Sequence, residues 1–246
     1  MFLFAAFMIA GGLSRELGGD DSIILTTEVI DVSNGMTNST GEIDVRIVAV
    51  GGLFGSSPII CGGTSWGNKA CAIFLHPSTG QWTQTHTMTI YRGYAASVQL
   101  NSTTLWILGG QSCPFCPSLE STEFIGINSF YGISGPKLPI TIGLDSFCAV
   151  KYSEDQVFVI GGRHFDGSSE CFNRVFIFNP LNEFSHIEGP PLKTKRQLHS
   201  CGLMSNGQQT KIVVAGGMDC SGNIHSTVEI FDPSVNNWIS GNKYTF

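Results

Sequence analysis

Two cysteines near the middle of the chain have the spacing of a redox or zinc half-site. They are Cys113 and Cys116, in the stretch Cys-Pro-Phe-Cys. A thioredoxin-like motif also needs a βαβ pattern, and a zinc site needs a second pair of ligands at a matching spacing. The sequence has neither, so we interpret this stretch as a loop turn that carries two free thiols.

Histidines are the other residues that commonly bind metals or act as general bases, and the chain has six of them. No pair has the spacing of a metal-binding helix or of a catalytic motif. We therefore expect no cofactor, no metal and no catalytic residue. The six are His76, His86, His164, His186, His199 and His225.

Three arginines are the remaining candidates for chemistry. Arg46, Arg92 and Arg196 each open a short run that ends in two glycines. A guanidinium group can bind a carboxylate through two parallel hydrogen bonds, which suits the recognition of acidic side chains. The same pairing also occurs inside folds, so a binding role and a structural role are both open for each arginine.

The glycine pair after an apolar run occurs five times, with the second glycine at positions 12, 63, 110, 162 and 217. The spacings are therefore 51, 47, 52 and 55 residues. Self-similarity at a nearly fixed period of this size indicates a repeat architecture. The pairs after the first are Gly62 and Gly63, Gly109 and Gly110, Gly161 and Gly162, and Gly216 and Gly217.

Each repeat continues with a second alternating run and then, in most copies, a bulky aromatic residue. The run Val-Glu-Ile-Phe-Asp-Pro at 228–233 is followed by Trp238, and Trp82 and Phe184 stand at the equivalent positions of two other repeats. This order of arginine, glycine pair, acidic–aromatic strand and tryptophan resembles the kelch repeat. The first repeat lacks the aromatic residue, and the third has only Tyr131 near that position.

The resemblance implies an all-β fold, a kelch-type β-propeller of about five four-stranded blades in a single domain of residues 1–246. The repeats are approximately 1–45, 46–91, 92–143, 144–195 and 196–246. Small sheets of this kind bury both faces by stacking radially. In the fourth repeat we predict the first three strands at about 146–152, 156–160 and 174–178.

The first repeat is too short for a complete blade. Eleven residues precede Gly12, which leaves no room for a first strand. We therefore expect either a five-bladed propeller with an incomplete first blade or a fragment of a six-bladed ring. In both cases the glycine pairs, Trp82 and Trp238 are predicted to be structural, because glycines let a neighbouring backbone approach closely and the tryptophans pack between blades.

The other cysteines are interpreted from their places in the repeats. Cys61 and Cys71 flank one loop and could form a disulfide across the hairpin in an oxidising compartment. Cys148 and Cys201 fall in matching inner strands, at a position that is small in the other repeats. We predict that these two are buried small hydrophobic residues.

The loop before the first strand of a blade and the loop after its second strand lie at the same end of the blade, because the two strands are antiparallel. These loops share one rim, where binding residues usually lie. This rim resembles the surface with which adaptor kelch proteins bind a short peptide. The predicted rim residues are Arg46, Arg92, Arg196, Trp66, Gln111, Arg163, His164, Asp166 and Asp219.

Charge and hydrophobicity argue against nucleic acid and membrane as partners. The net charge of −6, with scattered Lys and Arg, gives no basic stripe for nucleic acid, and no apolar run is long enough to cross a membrane. We expect a monomeric domain in the cytoplasm. Residues 1–13 are apolar and could instead act as a signal peptide, which would make the protein secreted.

We therefore predict a non-catalytic protein-binding module, with a protein or peptide ligand and a role as an adaptor or substrate-recognition part. One alternative is an enzyme of the galactose-oxidase-like or sugar-modifying type, since the kelch fold also occurs in a copper oxidase. Fold resemblance does not confer activity, and the sequence lacks a recognisable Tyr, His and Cys cluster. A secreted, adhesion-type kelch protein is the other alternative.

Overall fold

The computed structural model describes residues 6–15, 21–31, 36–42, 48–55, 57–63, 69–76 and 81–242. Only the backbone is described before residue 48 and at positions 75, 76 and 81. Arg46 and Trp66 lie outside the described residues. The described ranges contain strands and no helix of the length and apolarity needed to cross a membrane.

Five antiparallel sheets follow one another along the described chain, and we call them blades 1 to 5. Blade 1 has β1 (Ala6–Arg15), β2 (Asp21–Asp31) and β3 (Met36–Glu42). Blade 2 has β4 (Val50–Phe54), β5 (Ser57–Cys61), β6 (Ala70–His76) and β7 (Gln81–Thr87). Blade 3 has β8 (Ala96–Asn101), β9 (Thr104–Leu108), β10 (Thr122–Gly126) and β11 (Ile133–Ser134).

Blades 4 and 5 complete the described chain. Blade 4 has β12 (Cys148–Ser153), β13 (Gln156–Ile160), β16 (Val175–Asn179) and β17 (Ser185–Gly189). A separate hairpin of β14 (Arg163–Phe165) and β15 (Ser169–Cys171) lies between its second and third strands. Blade 5 has β18 (Ser200–Ser205), β19 (Thr210–Ala215), β20 (Val228–Asp232) and β21 (Asn237–Ser240).

The architecture confirms the predicted all-β fold with an incomplete first blade in the part of the chain that the structure describes. There, blades 2 to 5 each have four strands paired in chain order, and blade 1 has three. In blade 1 the strand that contains the glycine pair does not end there, since β1 continues to Arg15. A register shift between Ala10 and Gly12 lets it do so, because a bulge at a glycine bends the strand without ending the sheet.

The second strand of each complete blade is where neighbouring blades meet. In β9, Leu105 and Ile107 pack against blade 2, whereas Trp106 and Leu108 pack against blade 4. All four side chains are fully buried. This explains why the second strands are apolar on both faces, as strands covered on both sides are.

The glycine pairs lie where one blade approaches the backbone of the next. A Cβ atom added to Gly62 would lie 2.8 Å from the carbonyl oxygen of Arg92, and one added to Gly161 would lie 2.9 Å from that of Arg196. Both glycines also have positive φ, at 73° and 60°. Any larger residue would therefore separate the blades or strain the strand end.

The repeat aromatics differ in how deeply they are buried. Trp238 is only 1% exposed, and its Nε1 donates to the carbonyl oxygen of Pro190 at 2.8 Å. Trp82 is half-buried, and its ring lies 5.3 Å from that of Phe74. Tyr131, at the same place in the degenerate third repeat, is 72% exposed.

All eight cysteines are paired, which corrects two predictions. Cys113 and Cys116 form a disulfide and are not free thiols. Cys148 and Cys201 form another across the innermost strands of blades 4 and 5, so they are not merely small core residues. The remaining pairs are Cys61–Cys71, as the hairpin geometry suggested, and Cys171–Cys220.

Candidate site at the mouth of the propeller

Arg92 is a buried part of the scaffold. Its side chain is fully covered, and Nε donates to Oε1 of Glu123 at 2.6 Å. Nη1 donates to the carbonyl oxygens of Gly109 and Ser121 at 2.9 and 2.7 Å. The other carboxylate oxygen of Glu123 accepts the N–H and hydroxyl of Thr89. The pair thus ties the loop before β8 to the third strand of blade 3.

Arg196 repeats this arrangement in blade 5. It is 0% exposed, and its Nη2 donates to Oε1 of Glu229 at 2.8 Å. Nη1 donates to the carbonyl oxygens of Gly216 and Thr227. These contacts correct the prediction that Arg92 and Arg196 are rim residues that bind a ligand, because both guanidinium groups are covered and already bonded.

Blade 4 has buried apolar residues at the two positions of the ion pair. Leu144 takes the place of the arginine and Phe176 takes the place of the glutamate, at 1% and 4% exposure. Both belong to one core cluster. A buried ion pair can be exchanged for apolar residues of similar volume without loss, provided both partners change together.

A pocket lies between the rim loops of blades 3, 4 and 5, and we call it the mouth pocket. It has a volume of about 290 Å³. The loops before β8, β12 and β18 and the loops after β9 and β13 supply its walls. Its lining residues are Tyr94, Gln111, Pro114, Phe115, Ser146, Arg163, Phe165, Gln197 and Leu198. Of the predicted rim residues, the pocket therefore brings together Gln111 and Arg163.

Three equivalent residues at the pocket adopt the left-handed backbone conformation. Tyr94, Ser146 and Leu198 have φ of 55°, 55° and 54°. The N–H of Ser146 donates to the carbonyl oxygen of Tyr94, and that of Leu198 donates to Ser146, both at 2.8 Å. Strained conformations of non-glycine residues persist where surrounding contacts hold them, and they cluster at functional sites.

A buried carboxylate positions Arg163. Asp145 is fully buried and accepts hydrogen bonds from the hydroxyls of Ser118 and Ser146 at 2.6 and 2.7 Å. Its Oδ1 also accepts Nε and Nη2 of Arg163 at 3.0 and 2.9 Å. The guanidinium carbon lies 5.5 Å from the ring centre of Phe165. Arg163 is thus fixed in the wall, with its charge balanced by Asp145.

Two glutamines supply the polar groups of the pocket. Gln111 is 4% exposed, and its Nε2 donates to the carbonyl oxygen of Cys116 at 3.0 Å. Gln197 is 7% exposed, and its Oε1 has no hydrogen-bond partner in the described part of the chain. A buried acceptor without a partner costs free energy that a donor from a ligand would recover.

The remaining predicted rim residues organise their own loops. His164 is 7% exposed, with Nε2 3.6 Å from Oδ2 of Asp166. Hydrogen bonds from Ser168 hold the pKa of Asp166 below its usual value. Contacts with Asn223 do the same to the pKa of Asp219. None of the three lines the mouth pocket, and the described residues contain no group of three or more His, Cys, Asp or Glu arranged to hold a metal.

Comparison with known proteins identifies the repeat. Residues 207–243, from the hairpin turn of blade 5 to just beyond β21, match the kelch motif. The chain therefore carries a kelch motif in blade 5. Its fold is similar to the solved structure of YjhT, with a TM-score of 0.77 and 12% sequence identity over 96% of this chain and 81% of that chain. At this identity the likeness shows the fold alone.

Three of the pocket residues that sequence reasoning missed share one position in the repeat. Tyr94, Ser146 and Leu198 stand 52 residues apart, two places after Arg92, Leu144 and Arg196. Their side chains share no chemical type, so no residue pattern marks this position. An alignment of the repeats would have shown the signal, because this position varies from Tyr to Ser to Leu in consecutive repeats.

A buried histidine beneath the rim predicts that the propeller becomes less stable in acid. Burial and the charge of Arg196 lower the pKa of His199 to about 4, and its Nε2 lies 3.1 Å from the carbonyl oxygen of Ile160. An unfolded histidine has a pKa of about 6.5. As the pH falls, the unfolded chain therefore binds a proton at His199 before the folded chain does. The free energy of unfolding is unaffected above pH 6.5 and decreases toward pH 4, by about 3 kcal/mol in all.

The prediction is tested with His199→Gln, which should remove most of that pH-dependent loss. Free energies of unfolding would be measured by urea titration between pH 7.5 and 4.5. His186→Gln, at an exposed position, serves as the control and should follow the wild-type curve. Parallel curves for His199→Gln and wild type would contradict the assignment.

Proposed function

We propose that this chain is a non-catalytic protein-binding module that seats an apolar side chain of a partner in the mouth pocket. The observation that carries the proposal is the pocket itself, built from rim loops of three blades on a rigid sheet scaffold. Rim loops on such scaffolds are frequent binding surfaces. Its apolar walls include Tyr94, Phe115, Phe165 and Leu198.

The mouth pocket is small, with a volume of about 290 Å³. Pockets for drug-sized ligands and cofactors span about 300–1,000 Å³, so it lies at the lower end of that range. A pocket of this size can accept a large side chain of a partner. Protein interfaces are commonly held by such anchors, where a large side chain enters a pocket and excludes water.

The polar groups favour an uncharged anchor. Arg163 is already balanced by Asp145, and Arg92 and Arg196 are buried, so an acidic peptide would meet no free positive charge among the described pocket residues. The unpartnered Oε1 of Gln197 is an acceptor for a backbone N–H of the partner. The best-fitting ligand is therefore an exposed peptide segment with an aromatic or large aliphatic residue.

The lining residues do not form a recognisable catalytic set. They include no histidine and no carboxylate, and the hydroxyl of Ser146 donates to Oδ1 of Asp145. The fold does not decide the question, since 250 chains of known structure match it and propellers serve many functions. A non-catalytic role is the simpler account of this pocket.

The disulfides lead us to propose an oxidising compartment in place of the expected cytoplasm. Four disulfides use all eight cysteines, and two of them join blade 4 to blade 5. Structural disulfides persist outside the reducing cytosol. The disulfides therefore support a secreted kelch module that binds another protein.

The chain offers a matched pair of leucines for a binding test. Leu198 lines the pocket and is 50% exposed, whereas Leu203 lies on β18 and is 48% exposed. Peptides would be selected from a displayed random library on the oxidised protein, and their Kd values measured by fluorescence anisotropy. Leu198→Ala should weaken binding by about 30-fold, since a lost anchor contact costs about 2 kcal/mol.

The control should leave binding nearly unchanged. We expect Leu203→Ala to change Kd by less than about twofold, because exposed residues outside an interface contribute little. Selected peptides that bind equally well to both variants would place the interface elsewhere and overturn the proposal. So would a selection that yields no binder.

A further inference from the structure

The disulfide between Cys113 and Cys116 shapes one wall of the mouth pocket. It closes the tip of the loop between β9 and β10, with Cα atoms 5.1 Å apart. The two residues that it encloses, Pro114 and Phe115, both line the pocket. A covalent bond in this loop therefore holds part of the pocket surface in place.

This disulfide differs from the other three in what it joins. Cys61 and Cys71 are fully buried and directly opposite on β5 and β6. The bonds Cys148–Cys201 and Cys171–Cys220 each connect blade 4 with blade 5. Cys113 and Cys116 are half-buried and lie outside any strand, so their bond can be cut without loosening a sheet or a contact between blades.

The enclosed turn is held in an unfavourable conformation. Phe115 has φ of 61° and is 86% exposed, although aromatic residues rarely adopt left-handed backbone. Two hydrogen bonds support the turn, from the N–H of Cys116 to the carbonyl oxygen of Cys113 and from Nε2 of Gln111 to that of Cys116. Once the disulfide is broken, Phe115 would relax toward ordinary φ values and leave its place in the wall.

We propose that Cys113–Cys116 is a thiol–disulfide exchange site whose reduction opens the wall of the mouth pocket. A thiolate of a dithiol reductant attacks one of the two sulfurs, the S–S bond breaks, and the other cysteine leaves as a thiolate that takes up a proton. The second thiol of the reductant then resolves the mixed disulfide and releases the first cysteine. Two electrons and two protons pass from the dithiol to the protein.

The exchange is favoured here by access together with local freedom. The attacking thiolate must reach a sulfur in line with the bond, so exposure and local freedom control the rate. The half-buried loop is more accessible than the buried pair on β5 and β6. Cys148 and Cys201 are also half-buried and Cys220 is exposed, but their bonds tie blade 4 to blade 5, whereas the loop around Cys113 and Cys116 can rearrange on its own. The inference does not depend on peptide binding, since it concerns the chemistry and mobility of the loop itself.

The test is graded reduction of the oxidised full chain with dithiothreitol, followed by alkylation and mass spectrometry of each cysteine. Cys113 and Cys116 should be half-alkylated at a reductant concentration at least about 10-fold below that needed for the other six, a difference of about 30 mV in potential. Hydrogen exchange at residues 112–117 should accelerate about 10-fold in the same samples, with cooperative unfolding retained.

Two double variants separate the loop from the rest of the fold. Cys113→Ser with Cys116→Ser should exchange at residues 112–117 as fast as the reduced wild type and should not respond further to low dithiothreitol. Cys171→Ser with Cys220→Ser should keep those residues protected until the loop disulfide is reduced. The proposal is overturned if another pair is reduced first or alongside it, or if reduction leaves exchange in the loop unchanged.

Discussion

Arg92→Ala should lower the free energy of unfolding by about 3–5 kcal/mol, because it leaves Glu123 charged and buried without its partner. The change also removes donors from the carbonyl oxygens of Gly109 and Ser121. Chemical denaturation of the purified variant provides the measurement. A loss within about 0.5 kcal/mol, as expected of a surface loop residue, would show that the guanidinium is not structural.

Blade 4 supplies the control for this prediction. The double variant Arg92→Leu with Glu123→Phe copies Leu144 and Phe176, so it exchanges the whole ion pair for an apolar contact. We expect the double variant to be more stable than Arg92→Ala by at least about 1–2 kcal/mol, since both buried charges are gone. Equal losses would mean that blade 3 cannot accommodate the packing found in blade 4.

Trp238→Ala should cost about 3–5 kcal/mol of stability, the range for removing a buried large aromatic side chain. The side chain is 1% exposed, its ring lies 5.5 Å from that of Phe231, and its Nε1 donates to Pro190. The alanine would leave a cavity between blades 4 and 5 and an unpaired carbonyl group. Thermal and urea unfolding, monitored by circular dichroism, would measure the loss.

The half-buried tryptophan of blade 2 gives the comparison. Trp82→Ala should lose less stability than Trp238→Ala, because part of the Trp82 side chain is already in contact with water. A ranking in the opposite order would contradict the burial of the two rings. Neither variant should alter the reduction of Cys113–Cys116, which lies in another blade.

Much of the scaffold could be predicted because glycine and β-strand patterns act locally. In blade 4 the second strand was predicted at 156–160, which are the bounds of β13. The hairpin of β14 and β15 was missed, because its strands are three residues each and carry no alternation that a sequence reveals. It matters for the site, since it places Arg163 and Phe165 in the pocket wall.

The disulfide between blades 4 and 5 shows why pairing could not be predicted. By their spacing in the repeats, Cys148 and Cys201 fall in matching inner strands. Their registers differ by one residue, since Cys148 lies opposite Ile160 whereas Cys201 lies opposite Val214. Because side chains alternate along a strand, that difference turns Cys148 toward blade 5 and Cys201 toward blade 4. A one-residue shift of this kind depends on the turns and is invisible in spacing alone.

The prediction of exposed arginines is wrong because a charged side chain in a loop can be buried when a carboxylate partner neutralises it. Their partners Glu123 and Glu229 follow 31 and 33 residues later, in strands that the sequence did identify. Among the third to fifth repeats, the one that lacks the arginine also lacks the glutamate, with Leu144 and Phe176 in their places, whereas the second repeat has Arg46 but Ala72 at the glutamate position. This joint change within one chain was the available signal for a buried pair.

The hydrogen bonds that link Leu198, Ser146 and Tyr94 have a consequence for protein engineering. Each bond joins the backbone of one blade to that of the next, so the floor of the mouth pocket belongs to no single repeat. Copying the loops that carry Phe115, Phe165 and Leu198 onto another propeller would transfer the side chains without the backbone hydrogen bonds between blades that fix their positions. The smallest transplantable unit is the three consecutive blades 3 to 5, moved as one block.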